Sequence, residues 1–229
     1  MSKKTDVLIF LGPPGSGKGT LSQLCTESLK WRQLSTGNLC RKHIAQQTKI
    51  GKEIDFAIKS GKLVSDSLIV AMVKEWFEQV AASDLTIIFD GFPRTLHQAE
   101  LLEHLVQGQA DLTLTVVRFV IPREAVISRL FERYICKNKD CQAVYSMLSG
   151  SSFTPKKEGV CDACQHSLIK RSDDTKESII QRLETYHAHE CKLLEFYKVH
   201  KRSIIELEVD RPLQEIYVDF LDKVGAKKR

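Results

Sequence analysis

No stretch of this 229-residue sequence is long and apolar enough to span a membrane, and the opening Met1-Ser2-Lys3-Lys4-Thr5-Asp6 leads straight into a strand-like run without a secretory leader. The default expectation is a soluble, cytoplasmic protein. Internal repeats and low-complexity linkers are also lacking, which excludes a solenoid or a string of tethered modules. Charge of one sign is not in large excess: 34 Lys and Arg against 29 Asp and Glu leave a formal +5. Such a balance suits a collector of phosphorylated small molecules as well as a nucleic-acid binder. A stripe of interleaved basic and aromatic residues, the mark of many nucleic-acid surfaces, is missing. What remains is 42% apolar and 28% charged, the composition of a globular chain with room for one large core or a core with insertions. Seven cysteines without an export signal argue against a disulfide framework and for metal binding by some of them.

The stretch that organises the chain is Leu8-Ile9-Phe10-Leu11-Gly12-Pro13-Pro14-Gly15-Ser16-Gly17-Lys18-Gly19-Thr20. Its apolar half reads as a strand buried on both faces. Its glycine-rich half lets the backbone wrap an anion with several N–H groups pointing inward, and the helix that follows adds the positive end of its dipole. The spacing Gly-x4-Gly-Lys is that of a phosphate-binding loop, although Gly19 stands where Ser or Thr is usual and Thr20 follows one place later.

Downstream, Leu21, Leu24, Cys25 and Leu29 recur at helical spacing, and Ser35 or Thr36 caps a helix whose first turns carry Arg41. A polar segment punctuated by Gly37, Gly51 and Gly61 looks like a small helical excursion from the core. Asp66 starts an amphipathic helix with Leu68, Ile69, Met72, Val73, Trp76 and Phe77 inward. Residues 85–90 form a second buried strand ending in Asp90, with Gly91-Phe92-Pro93-Arg94-Thr95 after it and then a helix to about Val106. Leu112–Val120 is a third strand, followed by a helix over 125–132. Residues 203–209 read as a last strand and 212–224 as a last helix. Strands alternating with helices predict an α/β fold with a doubly wound parallel sheet, whose ligands sit at the carboxyl ends of the strands. The loop at 12–20 and the segment at 90–94 both fall there.

The alternation stops between about 132 and 169. Here Cys136-x4-Cys141 and Cys161-x2-Cys164 form two chelating knuckles, with Gly150, Pro155 and Gly159 between and around them. Four thiolates make a closed, structural zinc site that stands in for the core a short segment lacks. Cys25, Cys40 and Cys191 are expected to be ordinary small apolar residues on helices. A long helix resumes near Asp173, with Asp174 and Glu177 as its capping pair. Arg41, Arg94, Arg129, Arg133, Arg171 and Arg182 lie at segment ends or on flanking helices. Guanidinium forks are the preferred partners of phosphate oxygens.

These motifs, in this order, resemble the adenylate kinase family in its long form with a cysteine-ligated lid. The resemblance covers nearly the whole chain. It rests on Gly12-x-Pro14-Gly15-x-Gly17-Lys18-Gly19-Thr20, Ser35-Thr36-Gly37 with Arg41, Gly61-Lys62-Leu63-Val64, Asp90-Gly91-Phe92-Pro93-Arg94-Thr95 with Gln98, and Arg171-x-Asp173-Asp174 with Arg182. It implies ATP + AMP ⇌ 2 ADP with magnesium, carried out by a monomer with ATP, AMP and ADP as its only partners and neither nucleic acid nor membrane among them. It also implies a P-loop core (1–34, 65–131 and 170–229), an AMP-binding insertion (35–64) and a zinc-bearing lid (132–169). On this likeness Gly15, Ser16, Gly17, Lys18, Gly19 and Thr20 grip the ATP phosphates, helped by Arg133, with Val144, Tyr145 and Arg211 near the base and ribose. Thr36, Arg41, Lys62, Leu63, Val64, Gly91, Phe92, Pro93, Arg94 and Gln98 correspond to AMP-site positions, joined by Arg171 and Arg182. Lys18, Arg94, Arg129, Arg133, Arg171 and Arg182 would stabilise the transferring phosphoryl group, and Asp90 would orient magnesium through water.

Three places depart from the family pattern. Glu132-Arg133-Tyr134 replaces Gly-Arg-Arg, 147–155 is longer and richer in serine than the usual Phe-Asn-Pro-Pro, and Val209-Asp210-Arg211-Pro212 is shortened. Two rivals stand beside this reading. One is a UMP/CMP kinase of the same fold, against which the cysteine lid, Thr36 and Leu63-Val64 weigh. The other is a zinc-ribbon nucleic-acid binder, which leaves the glycine loop and residues 90–94 unexplained.

Overall fold

The computed structural model describes residues 5–59, 64–80, 86–107, 112–138, 141 and 143–226. Strand β1 (Thr5–Leu11) is the apolar run read from the sequence, and every residue in it but Asp6 is buried. Glycine turns the chain into α1 (Lys18–Leu29). Its N-cap, Gly17, has φ 92°, a left-handed conformation that a side chain would strain. Then come β2 (Arg32–Ser35), α2 (Thr36–Ala45), α3 (Lys49–Lys59) and α4 (Asp66–Val80). Next are β3 (Ile87–Asp90), α5 (Leu96–Gln107), β4 (Leu112–Val120) and α6 (Arg123–Phe131). The cysteine-bearing segment holds β5 (Arg133–Cys136), β6 (Val144–Ser146) and β7 (Leu168–Lys170). The chain ends with α7 (Lys176–Val199), β8 (Ser203–Glu208) and α8 (Leu213–Lys223).

The main sheet runs β2-β3-β1-β4-β8, all parallel, as the alternating pattern predicts. Successive side chains of β1 point to opposite faces and so divide the core in two. Val7, Ile9 and Leu11 join Ile69, Val73 and Phe77 of α4, Ala99, Leu102 and Val106 of α5, and Leu193 and Tyr197 of α7. Leu8 and Phe10 join Leu21 and Cys25 of α1 and Ile216, Tyr217, Phe220 and Leu221 of α8. The sheet is thus covered on both faces, and its functional groups can emerge only at strand ends. Registry brings those ends level: Ser35 of β2 pairs with Asp90 of β3, which pairs with Phe10 of β1.

Residues 133–170 hold a separate three-stranded antiparallel sheet, β6-β5-β7, that composition does not reveal and whose last strand runs one residue past the expected boundary at 169. Its small core consists of Cys136, Tyr145, Cys161 and Leu168. Three other expectations change. The strand β2 was not foreseen, because of its four residues only Leu34 is buried and no apolar pattern marks it. Helix α7 is capped by Thr175, whose side chain accepts from the N–H of Ser178, and not by an Asp174–Glu177 pair. Cys25 and Cys40 are buried as expected, but Cys191 is exposed. The predicted start of the second strand at Leu85 lies outside the described residues.

Candidate active site and cysteine centre

The carboxyl ends of β1, β2 and β3 open into a cleft of about 1000 Å³, within the range of small-ligand sites. One wall is the glycine loop. Lys18 folds back over it, its Nζ donating to the carbonyl oxygens of Gly12 (2.7 Å) and Pro13 (2.8 Å) and to Ser16 Oγ (3.2 Å). Burial lowers the Lys18 ammonium to about 8. Asp90 pulls the other way, while Arg94, Arg182 and Arg133 add to the depression. Gly15, Ser16, Gly17, Gly19 and Thr20 line the same wall.

The facing wall comes from α2 and the turn after β3. Ser35 caps α2 and Thr36 opens it. Thr36 Oγ1 and Arg94 Nε both donate to the carbonyl of Gly91, at 2.9 Å and 2.8 Å. Gly91 has φ +79°, and a Cβ there would meet Arg94 Nη2 at 2.9 Å, so this clamp requires glycine. Arg41 of α2 pairs with Asn38. Pro93 and Val64 line the cleft, but the Phe92 side chain turns into the core against Phe89 (ring centroids 5.8 Å). Lys62 and Leu63 lie outside the described residues. Gln98, buried at the start of α5, accepts the backbone N–H of Arg94 on Oε1 (2.8 Å) and donates Nε2 to Asp66 Oδ1 (2.6 Å). Asp66 also accepts from Thr95 Oγ1 (2.7 Å).

Between the walls stand the remaining arginines, held by a pair of acids. Arg133 makes a fork to Asp174, Nε to Oδ2 at 2.8 Å and Nη2 to Oδ1 at 2.6 Å. Arg171 makes another to Asp173 (3.1 and 3.3 Å). Arg182 Nη1 bridges the two, reaching the Asp173 carbonyl at 3.0 Å and Asp174 Oδ1 at 3.1 Å. Helix α7 begins only at Lys176, so Arg171 and Arg182 meet through this acidic turn and not along a shared helix face. Burial first, then Arg133 and Arg41, push the Arg171 guanidinium down to about 9, against Asp173 and Asp174. Burial likewise lowers Arg41 and Arg94. Asp173 is pushed up by burial, but Arg171, Arg182, Arg133 and Arg41 outweigh that and hold it below the usual carboxylate range. The sequence marks these acids only as part of a motif and as a helix cap. Their signal was adjacency to Arg171, whose charge a buried turn must balance.

Arg129 Nη2 donates to the Val209 carbonyl (2.8 Å) and Asp210 (3.3 Å). Arg211 lines the cleft, while its guanidinium pairs with Asp219 and donates Nε to the Glu208 carbonyl at 3.1 Å. Asp90 Oδ2 lies 3.3 Å from where a Cβ of Gly19 would stand, directly beside the loop. Val144 is exposed on the cleft. Tyr145 is buried: its hydroxyl accepts from the Asp162 N–H (2.7 Å) and contacts Cys161 Sγ (3.4 Å), so it braces the cysteine knuckle.

The four sulfurs of Cys136, Cys141, Cys161 and Cys164 lie within 4.8 Å of one another. The contacts Cys136–Cys164 and Cys141–Cys161 are 3.3 and 3.7 Å. Zinc–thiolate bonds of about 2.3 Å imply tetrahedron edges of about 3.8 Å, whereas a disulfide is about 2.05 Å. The donor set therefore fits zinc, and all four cysteines are free. Backbone amides hydrogen-bond the sulfurs. The His166 N–H foremost lowers the Cys164 thiol to about 6, while burial raises the Cys141 thiol against an Ala143 N–H that favours its thiolate. Burial pushes Cys136 up to about 12, a cost that a cation removes. The two buried apolar side chains here, Tyr145 and Leu168, bring about 3–6 kcal/mol of burial, with Tyr134, Ala143 and Met147 packed beside them, against about 10–16 kcal/mol that a structural zinc would bring.

A sequence model of the family described as adenylate kinase matches residues 10–202. The chain is 35% identical over 219 residues to an adenylate kinase of Clostridium tetani, covering 96% of this chain and 98% of the relative. It is 41% identical over 212 residues to one of Treponema denticola (90% and 93%), and 38% identical over 190 residues to one of Borrelia garinii subsp. bavariensis (83% and 85%).

Proposed function

The chain belongs to the adenylate kinase family and is a phosphotransferase, and from that premise we propose how its cleft carries ATP + AMP ⇌ 2 ADP. The observation that carries the assignment is that two phosphate-binding walls, the Lys18 loop and the Thr36–Arg94 clamp, face each other across one set of arginines. A loop alone would suit any nucleotide hydrolase; two opposed walls suit transfer between two nucleotides.

The ATP half comprises Gly15, Ser16, Gly17, Lys18, Gly19, Thr20 and Arg133 for the phosphates, with Val144, Tyr145 and Arg211 toward the base. The AMP half comprises Thr36, Arg41, Lys62, Leu63, Val64, Gly91, Pro93, Arg94 and Gln98. Lys18, Arg94, Arg129, Arg133, Arg171 and Arg182 neutralise the oxygens of the group in flight. Two polyanions repel, so most of the catalysis is neutralisation and in-line positioning. The acceptor phosphate has a second pKa of about 6 and is already ionised at neutral pH. No general base is needed.

Adenylate kinases use magnesium with ATP, and here Asp90, beside Gly19, is the carboxylate placed to orient it; the cation adds charge compensation on the phosphates. Zinc in the four-cysteine centre is structural, since four thiolates leave no open position. The segments 35–64 and 132–169 act as the two covers over the core (1–34, 65–131, 170–229), closing to exclude water as the competing acceptor. We further place the protein in the cytoplasm as a monomer. Among the described residues no helix is long and apolar enough to cross a membrane.

The test is a coupled assay of ADP formation from ATP and AMP, with CMP and UMP in place of AMP. The expected result is a strong preference for AMP and a loss of at least about a thousandfold in kcat for Lys18→Met, as for other transition-state charge contacts. A preferred pyrimidine acceptor would assign the chain to the UMP/CMP kinases instead.

A further inference from the structure

Gln98 is buried among groups that leave its amide only one orientation. The backbone N–H of Arg94 can only donate, so the atom 2.8 Å from it must be the amide oxygen. The Asp66 carboxylate can only accept while ionised, so the atom 2.6 Å from it must be the amide nitrogen. Thr95 Oγ1 donates to the other oxygen of Asp66 at 2.7 Å, which keeps that carboxylate from rotating away. Asp66 itself sits in the first turn of α4, where the helix dipole favours a carboxylate. The amide nitrogen carries two hydrogens and uses one on Asp66. Gln98 also lines the cleft, together with Val64, Ile69 and Leu193.

We propose that Asp66 is a specificity-determining positioning residue: by fixing the Gln98 amide, it presents an N–H donor to the Watson–Crick edge of the acceptor base. Adenine offers an acceptor, N1, at that edge; hypoxanthine has the same shape but carries a hydrogen on N1. A fixed N–H pairs with the first and collides with the second, whereas an amide free to turn would serve either. Discrimination by a mismatched buried polar group exceeds anything that shape alone gives between these two bases. The argument rests on the reading that Gln98 faces the AMP base.

The experiment uses the zinc-loaded enzyme and measures kcat and KM for AMP and for IMP, with KM for MgATP and a thermal melt alongside. Asp66→Ser keeps a residue suited to a helix start but is too short to reach Gln98. It should raise KM for AMP about tenfold, leave KM for MgATP unchanged, and lower the AMP-over-IMP ratio of kcat/KM by about tenfold. Asp66→Asn keeps an acceptor oxygen toward Gln98 and a donor toward Thr95, so it should restore the AMP constants and the ratio. If Asn behaves like Ser, the carboxylate acts through charge or helix stability and the proposal is overturned. An unchanged ratio in Asp66→Ser, with Gln98→Ala losing it, overturns the role of Asp66 alone. An unchanged ratio in Gln98→Ala removes the underlying placement of the base.

Discussion

Lys18 is the residue whose chemistry depends most on its neighbours. Its ammonium sits at about 8 without a nucleotide, mainly through burial, well below the usual lysine value. A triphosphate placed against it supplies the negative charge that burial lacks and returns the pKa toward normal. At pH 8 the free enzyme carries about half a proton on this group, so binding ATP should take up about half a proton; at pH 6 the uptake should vanish. Calorimetry in two buffers of different ionisation enthalpy measures it, and the uptake should disappear in Lys18→Met. Zero uptake at pH 8 in the native enzyme would mean that the ammonium is not depressed. The same shift has a sign for folding. The unfolded chain holds this proton up to about 10.5, so between pH 8 and 10.5 the unfolded state binds more protons. The contribution of this lysine to stability therefore rises with pH across that window. At this scale the sequence was legible wherever spacing defines a position on the cleft: Lys18 after its glycines, Thr36 after Ser35, Arg94 after Asp90. It was not legible where a side chain chooses among partners. Tyr145 turns its hydroxyl into the cysteine knuckle, Phe92 into the core, and Asp174 to Arg133 and Arg182 instead of the α7 N-terminus. Each choice is made across the fold, and no local window contains it.

Among the elements, the three-stranded sheet of 133–170 has the least internal support. Its strands have three or four residues, its register (Tyr134 opposite Tyr145, Cys136 opposite Leu168) is set over loops far longer than the strands, and half of its buried core is cysteine. The cysteine spacing could announce a metal, but strands this short leave no alternation to detect, so the sheet itself was invisible. The long strands β1 and β4, buried on both sides, were visible for the opposite reason. Opposite Tyr134, Lys170 lies 5.4 Å over the ring, so the position that breaks the family's Gly-Arg-Arg pattern holds a cation against the strand by another contact. The consequence is a separation between stability and chemistry. Cys161→Ser should abolish stoichiometric zinc and lower the melting temperature by at least about 6–12 °C, the shift that losing even about 3 kcal/mol of the zinc contribution gives in a chain of this size. Its kcat at a temperature where it remains folded should stay within about threefold. Metal analysis, a thermal melt and the coupled assay check the three parts, and retained zinc with an unchanged melt would refute the centre.

Across the whole molecule, charge is distributed unevenly. The cleft gathers Lys18, Arg41, Arg94, Arg129, Arg133, Arg171, Arg182 and Arg211 against Asp90, Asp173, Asp174 and Asp210, eight cations and four carboxylates, a local +4 beside a formal +5 for the entire chain. Nearly all of the excess therefore lies where the nucleotides bind. The acidic turn at Asp173–Asp174 pairs directly with Arg133, Arg171 and Arg182, and Asp210 pairs with Arg129, but the cations still outnumber the carboxylates and repel across the opening. This repulsion is a stability cost in the free enzyme and an attraction once phosphates enter. Saturating ATP, at about a hundred times its Kd, should add about 2.7 kcal/mol and raise the melting temperature by about 5–11 °C. Salt then distinguishes electrostatics from simple occupancy. Sodium chloride screens exposed charges beyond about 10 Å at 0.1 M, so it should raise the melting temperature of the free enzyme while shrinking the increment from ATP. A series of melts with and without ATP along a chloride gradient reads both slopes. If chloride lowered the melting temperature of the free enzyme and left the ATP increment constant, the cleft arginines would be fully compensated by their own acids, and relief of like-charge repulsion could not be what draws the two walls together.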